Sequence, residues 1–298
     1  MVITMLKGIP SKQYNFRVPA KINHFLRILS RQENGYHNLM LDLIPISLYD
    51  EITLNTSNQG IEIRNPAVPQ VEHDNVYKAL KALEEYVGIR LGVEVVIQKN
   101  IPVGSGLGGS SSNAGGVLAA VNRLLDIGLS NDELTELAMG IGADVPFFLN
   151  PLAGIYSGSG EQKIRLINNF SPKIIHLIFT GLNVNTGNVF KSVTGNSEFS
   201  FSTEIFESDF QYSQLTKNPT EINDFWTSTH MYYNQLSQIR EKALSCGFDQ
   251  VFMSGTGGTL YGVCDDEENL EPASKLHKAT GLCLTPVELL DKFNYPFN

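Results

Sequence analysis

At 298 residues the chain has room for two domains of ordinary size, and 42% hydrophobic against 18% charged residues is the mixture of a folded globular protein. A formal charge of -9, with no cluster of Lys and Arg interleaved with aromatics, excludes nucleic acid as the partner, because such a surface as a whole repels polyphosphate. The three cysteines, Cys246, Cys264 and Cys283, have neither CxxC spacing nor a histidine cluster beside them, so neither a disulfide framework nor a zinc site is expected.

Apolar residues alternate at Phe16, Val18, Ala20 and Ile22, the pattern of a half-buried strand, with Arg17, Lys21 and Asn23 on its other face. Lys21 and Asn23 therefore point the same way. Asn34-Gly35 is a tight-turn pair, since both residues tolerate positive φ, and it links this segment to an apolar run over 39–48 in a hairpin or β-loop-β unit. Residues 52–54 and 61–63 read as further short strands, and residues 75–86 as a helix with Val76, Leu80 and Leu83 on one face. Val93, Val95 and Ile97 form an alternating strand that runs into a loop over 101–112. A helix follows, with Ala114, Val117, Leu118, Val121, Leu124 and Leu125 on one face. Ser130 and Glu133 make a capping-box pair that opens a helix ending around Gly140 and Gly142, and Asp144 follows in a loop closed by Pro146.

Beyond Leu166 the character changes, and a domain boundary near Asn168 divides the chain into 1–168 and 169–298. Residues 174–179 are an apolar strand, residues 184–203, rich in Ser, Thr and Asn, read as loop, and residues 223–244 read as one helix. Val251, Phe252 and Met253 lead into a second glycine turn, Ser254-Gly255-Thr256-Gly257-Gly258, before the apolar run 260–263. That turn either approaches a ligand bound at the first loop or simply joins two strands.

The first loop is Pro102-Val103-Gly104-Ser105-Gly106-Leu107-Gly108-Gly109-Ser110-Ser111-Ser112, placed between a strand and a helix. Glycines let backbone N–H groups turn inward and approach an anion closely, and the helix start adds free donors and partial positive charge. The same composition also suits a flexible loop with serine caps. As a phosphate cradle it fits ATP, and one serine hydroxyl suits a Mg2+ bridging the phosphates, with Ser111 and Ser112 as candidates. A dinucleotide fold would need an acidic residue at the end of the next strand; Asp126 stands at the right distance but falls within the helix. No Lys-Ser/Thr follows the glycines, and the DFG and HRD elements of protein kinases are absent, so a third kind of phosphate loop is required.

Residues 102–114 resemble the phosphate loop of the GHMP kinases, which follows a Pro-x-x-x-Gly-Leu-Gly-Ser-Ser type of pattern. Three further stretches carry the resemblance along most of the chain: Pro19-Ala20-Lys21-Ile22-Asn23 with Gly35-Tyr36-His37, then Gly142-Ala143-Asp144-Val145-Pro146, then Met253-Ser254-Gly255-Thr256-Gly257. Asn223-Asp224 agrees with them. The chain departs from the family pattern at Ser110, where a further glycine is expected, at Gly115, where Ala is common, and at Asn34, often an Asp.

The resemblance implies an α+β, two-domain GHMP kinase fold with the active site in the inter-domain cleft, a small-molecule kinase using ATP and Mg2+. It assigns Asp144 as the catalytic carboxylate and Lys21 as its partner, a division of labour that phosphoryl transfer accepts, since the reaction asks mainly for positioning and charge neutralisation. Without the resemblance, Asp144 reads equally as a loop or capping aspartate and Lys21 as a solvated strand lysine. Lys99, just before the loop, is either a phosphate contact or an exposed strand end. By the same resemblance Asn23 lies on the substrate side, Tyr36 and His37 meet a cytosine, and Phe190 covers the base's other face, or else packs ordinarily. The expected partner is a small-molecule alcohol bearing cytidine diphosphate. A kinase for another alcohol such as homoserine or mevalonate, and a non-catalytic nucleotide-binding sensor of the same fold, stay open. No run approaches about 18 apolar residues and the N-terminus carries no signal-peptide core, so no membrane partner is expected and the protein reads as cytoplasmic, a monomer or homodimer.

Overall fold

The computed structural model describes residues 4–5, 12–31, 37–167, 173–192, 223–266 and 268–297. Its first sheet contains β1 (Gln13–Ile22), β2 (Leu26–Arg31), β3 (His37–Thr56), β4 (Ile61–Arg64), β5 (Val93–Gln98), β6 (Gly154–Gly158) and β7 (Gln162–Leu166). The spine is β3, whose C-terminal half lies between β1 and β5 and whose N-terminal half lies between β2 and β6, all antiparallel. The runs expected as two separate strands, 39–48 and 52–54, are one. No Gly or Asn breaks the chain between them, and the irregularity is taken up by a bulge, where the register moves from Pro19 opposite Tyr49 to Ala20 opposite Ile46.

Helices α1 (Asn75–Val87), α2 (Gly109–Leu124) and α3 (Asn131–Met139) cover this sheet. Their apolar faces, Val76, Leu80 and Leu83 on α1 with Val117, Leu118 and Val121 on α2, pack with Phe16, Val18, Leu54 and Val95 in one core. Full burial of each Leu or Val contributes roughly 1.5–3 kcal/mol, which outweighs the small cost of glycine at two positions inside α2. Local chemistry sets the helix ends: Asp74 accepts the Val76 N–H, and Ser130 with Glu133 forms the expected capping box. Helix α2 stops at Leu124, and Asp126 lies beyond it with φ 54°, not inside the helix as its position suggested.

The second sheet is antiparallel, built from β8 (Ile174–Phe179), β9 (Gln250–Met253), β10 (Thr259–Val263) and β11 (Cys283–Glu288) in the order β9-β10-β8-β11. Around it lie α4 (Thr186–Ser192), α5 (Phe225–Tyr232), α6 (Gln235–Ser245) and α7 (Glu271–Thr280). Two expectations are corrected here. Part of 184–203, read as loop, is helix α4, which tertiary packing of Val189 and Phe190 supports; 193–203 lies outside the described residues. The single helix over 223–244 is two, broken at Tyr233, where the chain turns so that Leu236 enters the core while Thr229 reaches the Thr256 carbonyl.

The two sheets share a core in which Ile22, Ile44, Ile101 and Leu107 meet Leu177, Phe252, Tyr261 and Val287. The last residues return to the first half: Tyr295 donates to the Phe148 carbonyl (2.7 Å), and Phe297 stacks on Tyr295 and meets Phe16 edge-on. The division into 1–168 and 169–298 is thus a proposal about folding units, which this tail crosses. Among the described residues no helix is long and apolar enough to cross a membrane.

The shared core buries His24 against Phe252, with Nδ1 2.9 Å from the Tyr261 hydroxyl, and burial lowers its pKa to about 3. In the unfolded chain it takes a proton near pH 6.5, so its contribution is full above that value and is lost as pH falls towards 3. Between pH 7 and pH 5 this one group costs about 2 kcal/mol of stability. Denaturant midpoints are expected to drop over that interval, and to drop less in His24→Gln.

Candidate active site

The first sheet and both glycine segments open on one cavity of ≈ 350 Å³. Its wall is formed by residues 102–106 and 108–111 on one side, by Gly255 and Thr256 on another, and by Lys21, Asn23 and Asp144 at the floor. Leu26, Leu39, Leu41, Phe190 and Phe225 make an apolar end.

The loop reaches this position because its glycines tolerate what other residues do not. Gly104, Gly106 and Gly108 all have φ between 70° and 78°, in the left-handed region. A Cβ on Gly106 would stand 2.5 Å from the Ser254 carbonyl oxygen and 2.7 Å from that of Gly257; a Cβ on Gly108 would stand 2.9 Å from Phe148 and 3.1 Å from Lys21 Cγ. The loop is therefore pressed onto the second turn on one side and onto the Lys21 stem on the other. Gly108 is the N-cap of α2 and no side chain caps that terminus. The first intrahelical bond runs from Ser112 N–H to the Gly108 carbonyl, so the preceding N–H groups at the cavity wall have no partner within the helix. With the dipole of a 16-residue helix behind them, they suit an anion.

Lys21 and Asn23 do share a face, as their spacing implied, but that face is buried and not exposed: Lys21 is 4% and Asn23 1% accessible. The strand is covered on both sides from Val18 onwards, because Leu107 packs over it and its carbonyl accepts the Lys21 N–H (3.0 Å). Lys21 Nζ donates to Asn23 Oδ1 (2.5 Å) and lies 3.6 Å from Asp144 Oδ2. The Asn23 amide is itself oriented by its Nδ2 donating to the Asp42 carbonyl (2.6 Å), which leaves Oδ1 for the lysine. Asp144 sits in a turn closed by Val145 N–H donating to Gly142 (3.0 Å), directly against α2. The departure at Gly115 has its reason there: a Cβ would stand 2.8 Å from the Val145 carbonyl and 2.7 Å from Phe148 Cβ.

Not every sequence candidate faces the cavity. Ser112 is wholly buried and its hydroxyl donates to the Pro19 carbonyl (2.6 Å), so of the two serines considered for Mg2+ only Ser111 lines the cavity. Leu107 belongs to the shared core. Lys99 is ion-paired with Asp50 behind the loop and is neither an exposed strand end nor part of the cavity wall. Ser105 closes the loop on itself by donating to the Pro102 carbonyl (2.7 Å). Phe190 lines the apolar end, edge-on to Phe225 with centroids 4.5 Å apart, and the His37 ring lies 5.5 Å from Phe190. Tyr36 lies outside the described residues.

Several wall residues carried no signal in the sequence. Leu26, Leu39 and Leu41 read as ordinary strand residues, and Phe225 as a helix residue. Asn223 was legible only as part of the resemblance; its Nδ2 donates to the Gly255 carbonyl (2.8 Å) and holds the second glycine turn in place.

An uncapped helix start that suits an anion, a buried lysine and a carboxylate on one cavity are the arrangement of a small-molecule kinase, and the comparisons agree. Residues 74–150 match the GHMP kinases N terminal domain and residues 231–276 the GHMP kinases C terminal domain. Proteins called 4-diphosphocytidyl-2-C-methyl-D-erythritol kinase are 33% identical over 88% of this chain and 93% of their own length in Syntrophotalea carbinolica, and 34% identical over 86% and 93% in Persephonella marina. A crystal structure of 4-(cytidine 5'-diphospho)-2C-methyl-D-erythritol kinase superposes with a TM-score of 0.71 at 26% identity, covering 92% of this chain and 99% of that one. Homoserine kinase from Cytophaga hutchinsonii shares the fold (TM-score 0.68, 16% identity, 93% and 94% coverage). The chain belongs to the 4-diphosphocytidyl-2-C-methyl-D-erythritol kinases of the GHMP kinase family.

The close approach of the two glycine segments makes Gly106→Ala a direct probe of the cradle. Its Cβ must displace the loop from the Ser254 and Gly257 carbonyls, so the KM for ATP is expected to rise about tenfold with the circular dichroism spectrum retained. An unchanged KM would mean that the loop does not hold the phosphates.

Proposed function

We propose that the protein transfers the γ-phosphoryl group of ATP to the 2-hydroxyl of 4-diphosphocytidyl-2-C-methyl-D-erythritol, a step of non-mevalonate isoprenoid biosynthesis. The observation that carries this reading is the placement of the Lys21–Asp144 pair on the same cavity as the uncapped start of α2, with an apolar, aromatic-bearing end beside them. The names and coverage of the curated relatives support the substrate.

In this reading residues 102–106 and 108–111 receive the ATP phosphates through backbone N–H groups and serine hydroxyls, with Leu107 and Ser112 turned away. Asp144 accepts the proton of the substrate hydroxyl as its oxygen forms a bond to the γ-phosphorus and the bond to the β-phosphate oxygen breaks, releasing ADP. Lys21 faces the charge that builds on the transferring group. Its burial and its two fixed partners hold the ammonium in place before the reaction, so little reorganisation is needed at the transition state. Among the described residues no group of three His, Cys, Asp or Glu gathers to cage a metal. Ser111, which lines the cavity, would offer its hydroxyl to a Mg2+ bound with the phosphates. When bound it neutralises phosphate charge. Phe190, packed on Phe225, offers an aromatic face to the cytosine, with Tyr36 and His37 as its other contacts.

Asp144→Asn is expected to lower kcat by at least about a hundredfold while ATP binding is nearly kept. Undiminished turnover would remove Asp144 from the mechanism. ATP consumption measured with 4-diphosphocytidyl-2-C-methyl-D-erythritol beside homoserine and mevalonate tests the substrate; preference for either of the latter would sink it, and no turnover with any would favour a nucleotide-binding sensor. Phe190→Ala is expected to raise the KM for the cytidine substrate by roughly 5- to 150-fold, the equivalent of about 1–3 kcal/mol per stacked base, and to leave that for ATP unchanged.

A further inference from the structure

Asp50, near the end of β3, has no part in the reaction just described, yet its carboxylate is wholly buried and all its contacts lead to the phosphate loop. Oδ1 accepts the backbone N–H groups of Asn100 (2.7 Å) and Ile101 (2.8 Å). Oδ2 accepts Lys99 Nζ and, with the Asn113 amide turned so that Nδ2 faces its acceptors, Asn113 Nδ2 at 2.8 Å. The same Nδ2 lies 3.1 Å from the Gly109 carbonyl. Lys99, Asn100 and Ile101 are the residues that lead into the loop; Gly109 and Asn113 belong to the opening of α2, which leads out of it. One carboxylate thus ties together both feet of the arch.

The two feet are in close contact at Gly109. A Cβ on Gly109 would stand 2.9 Å from both Lys99 Nζ and Ile101 Cγ2. The separation of the feet decides whether the N–H groups at the start of α2 and those of the loop converge on one phosphate or diverge. Packing alone does not require an ion pair here, since a buried pair is often replaceable by apolar residues of the same volume. What an apolar pair cannot do is accept two backbone N–H groups and an amide at fixed directions. The lysine also cancels the negative charge that would otherwise lie beneath a phosphate site.

We propose that Asp50 is a positioning residue for ATP, holding the two ends of the phosphate loop at the spacing the phosphates need. The inference rests on the reading of the protein as an ATP-dependent kinase, but not on the identity of the alcohol.

The test is calorimetric titration with ATP and Mg2+ in the absence of any alcohol, on the wild-type chain, Asp50→Asn, Asn113→Ala and the double variant. Asp50→Asn is expected to weaken ATP binding about tenfold and Asn113→Ala about threefold, with the double variant within twofold of Asp50→Asn because both act on one network. The KM for the alcohol should stay within twofold of wild type. A merely structural role would lower the melting midpoint and leave ATP affinity of the folded protein as it was, and that result would overturn the proposal. If Asp50→Asn does not fold, Asn113→Ala decides by itself, unchanged affinity again overturning it. ATP binding by the wild type with no turnover of the cytidine substrate would sink the substrate reading and leave this one standing, whereas a wild type that does not bind ATP would overturn both.

Discussion

Two glycine segments about 150 residues apart in the chain meet at their backbones, and the geometry of the whole cavity follows from that contact. Gly106 faces the carbonyl oxygens of Ser254 and Gly257, and Gly258 in turn faces the Gly104 carbonyl, which a Cβ would approach to 2.5 Å. The Ser254 hydroxyl donates to the Gly106 carbonyl at 3.2 Å across the same seam. Because the contact is backbone to backbone, the first sheet and the second can approach until their faces share a core, and the cavity stays narrow enough for Lys21, Asp144 and the start of α2 to line one space. Left-handed φ values and the absence of Cβ atoms are two separate demands here, and only glycine meets both.

The electrostatics are local. The protein as a whole carries -9, so what suits an anion is not the overall field but a few fixed groups: backbone N–H donors at an uncapped helix start and the buried Lys21. Burial makes these few groups effective, since screening by water and salt is weakest there. It also makes their orientation a matter of successive hydrogen bonds, from the Asp42 carbonyl to Asn23 and from Asn23 to the Lys21 ammonium.

Much of the fold was legible where local chemistry decides. The Ser130–Glu133 capping box, the strand-loop-helix order around residues 93–124 and the strand-turn-strand at 251–263 all appear as their residue patterns imply. Reading failed where packing overrides propensity. Residues 186–192 form a helix despite a polar composition, because Val189 and Phe190 find an apolar surface that lies far away in sequence. The helix expected over 223–244 breaks because Thr229 and Leu236 answer to different neighbours.

For the site, four motifs recurring in order determined the kinase family, and glycines and serines between a strand and a helix set the expectation of a loop suited to an anion. Direction and burial were decided only in three dimensions. Ser111 and Ser112 are equivalent in a list of residues, yet adjacent positions on a helix point about 100° apart, so one meets the cavity and the other the Pro19 carbonyl. Lys99 is a cation beside a phosphate loop in one dimension and the partner of a buried carboxylate in three. Asp50, 49 residues earlier in the chain than that lysine, carries no mark of its role, because what a buried charge does is set by the groups that the fold brings to it.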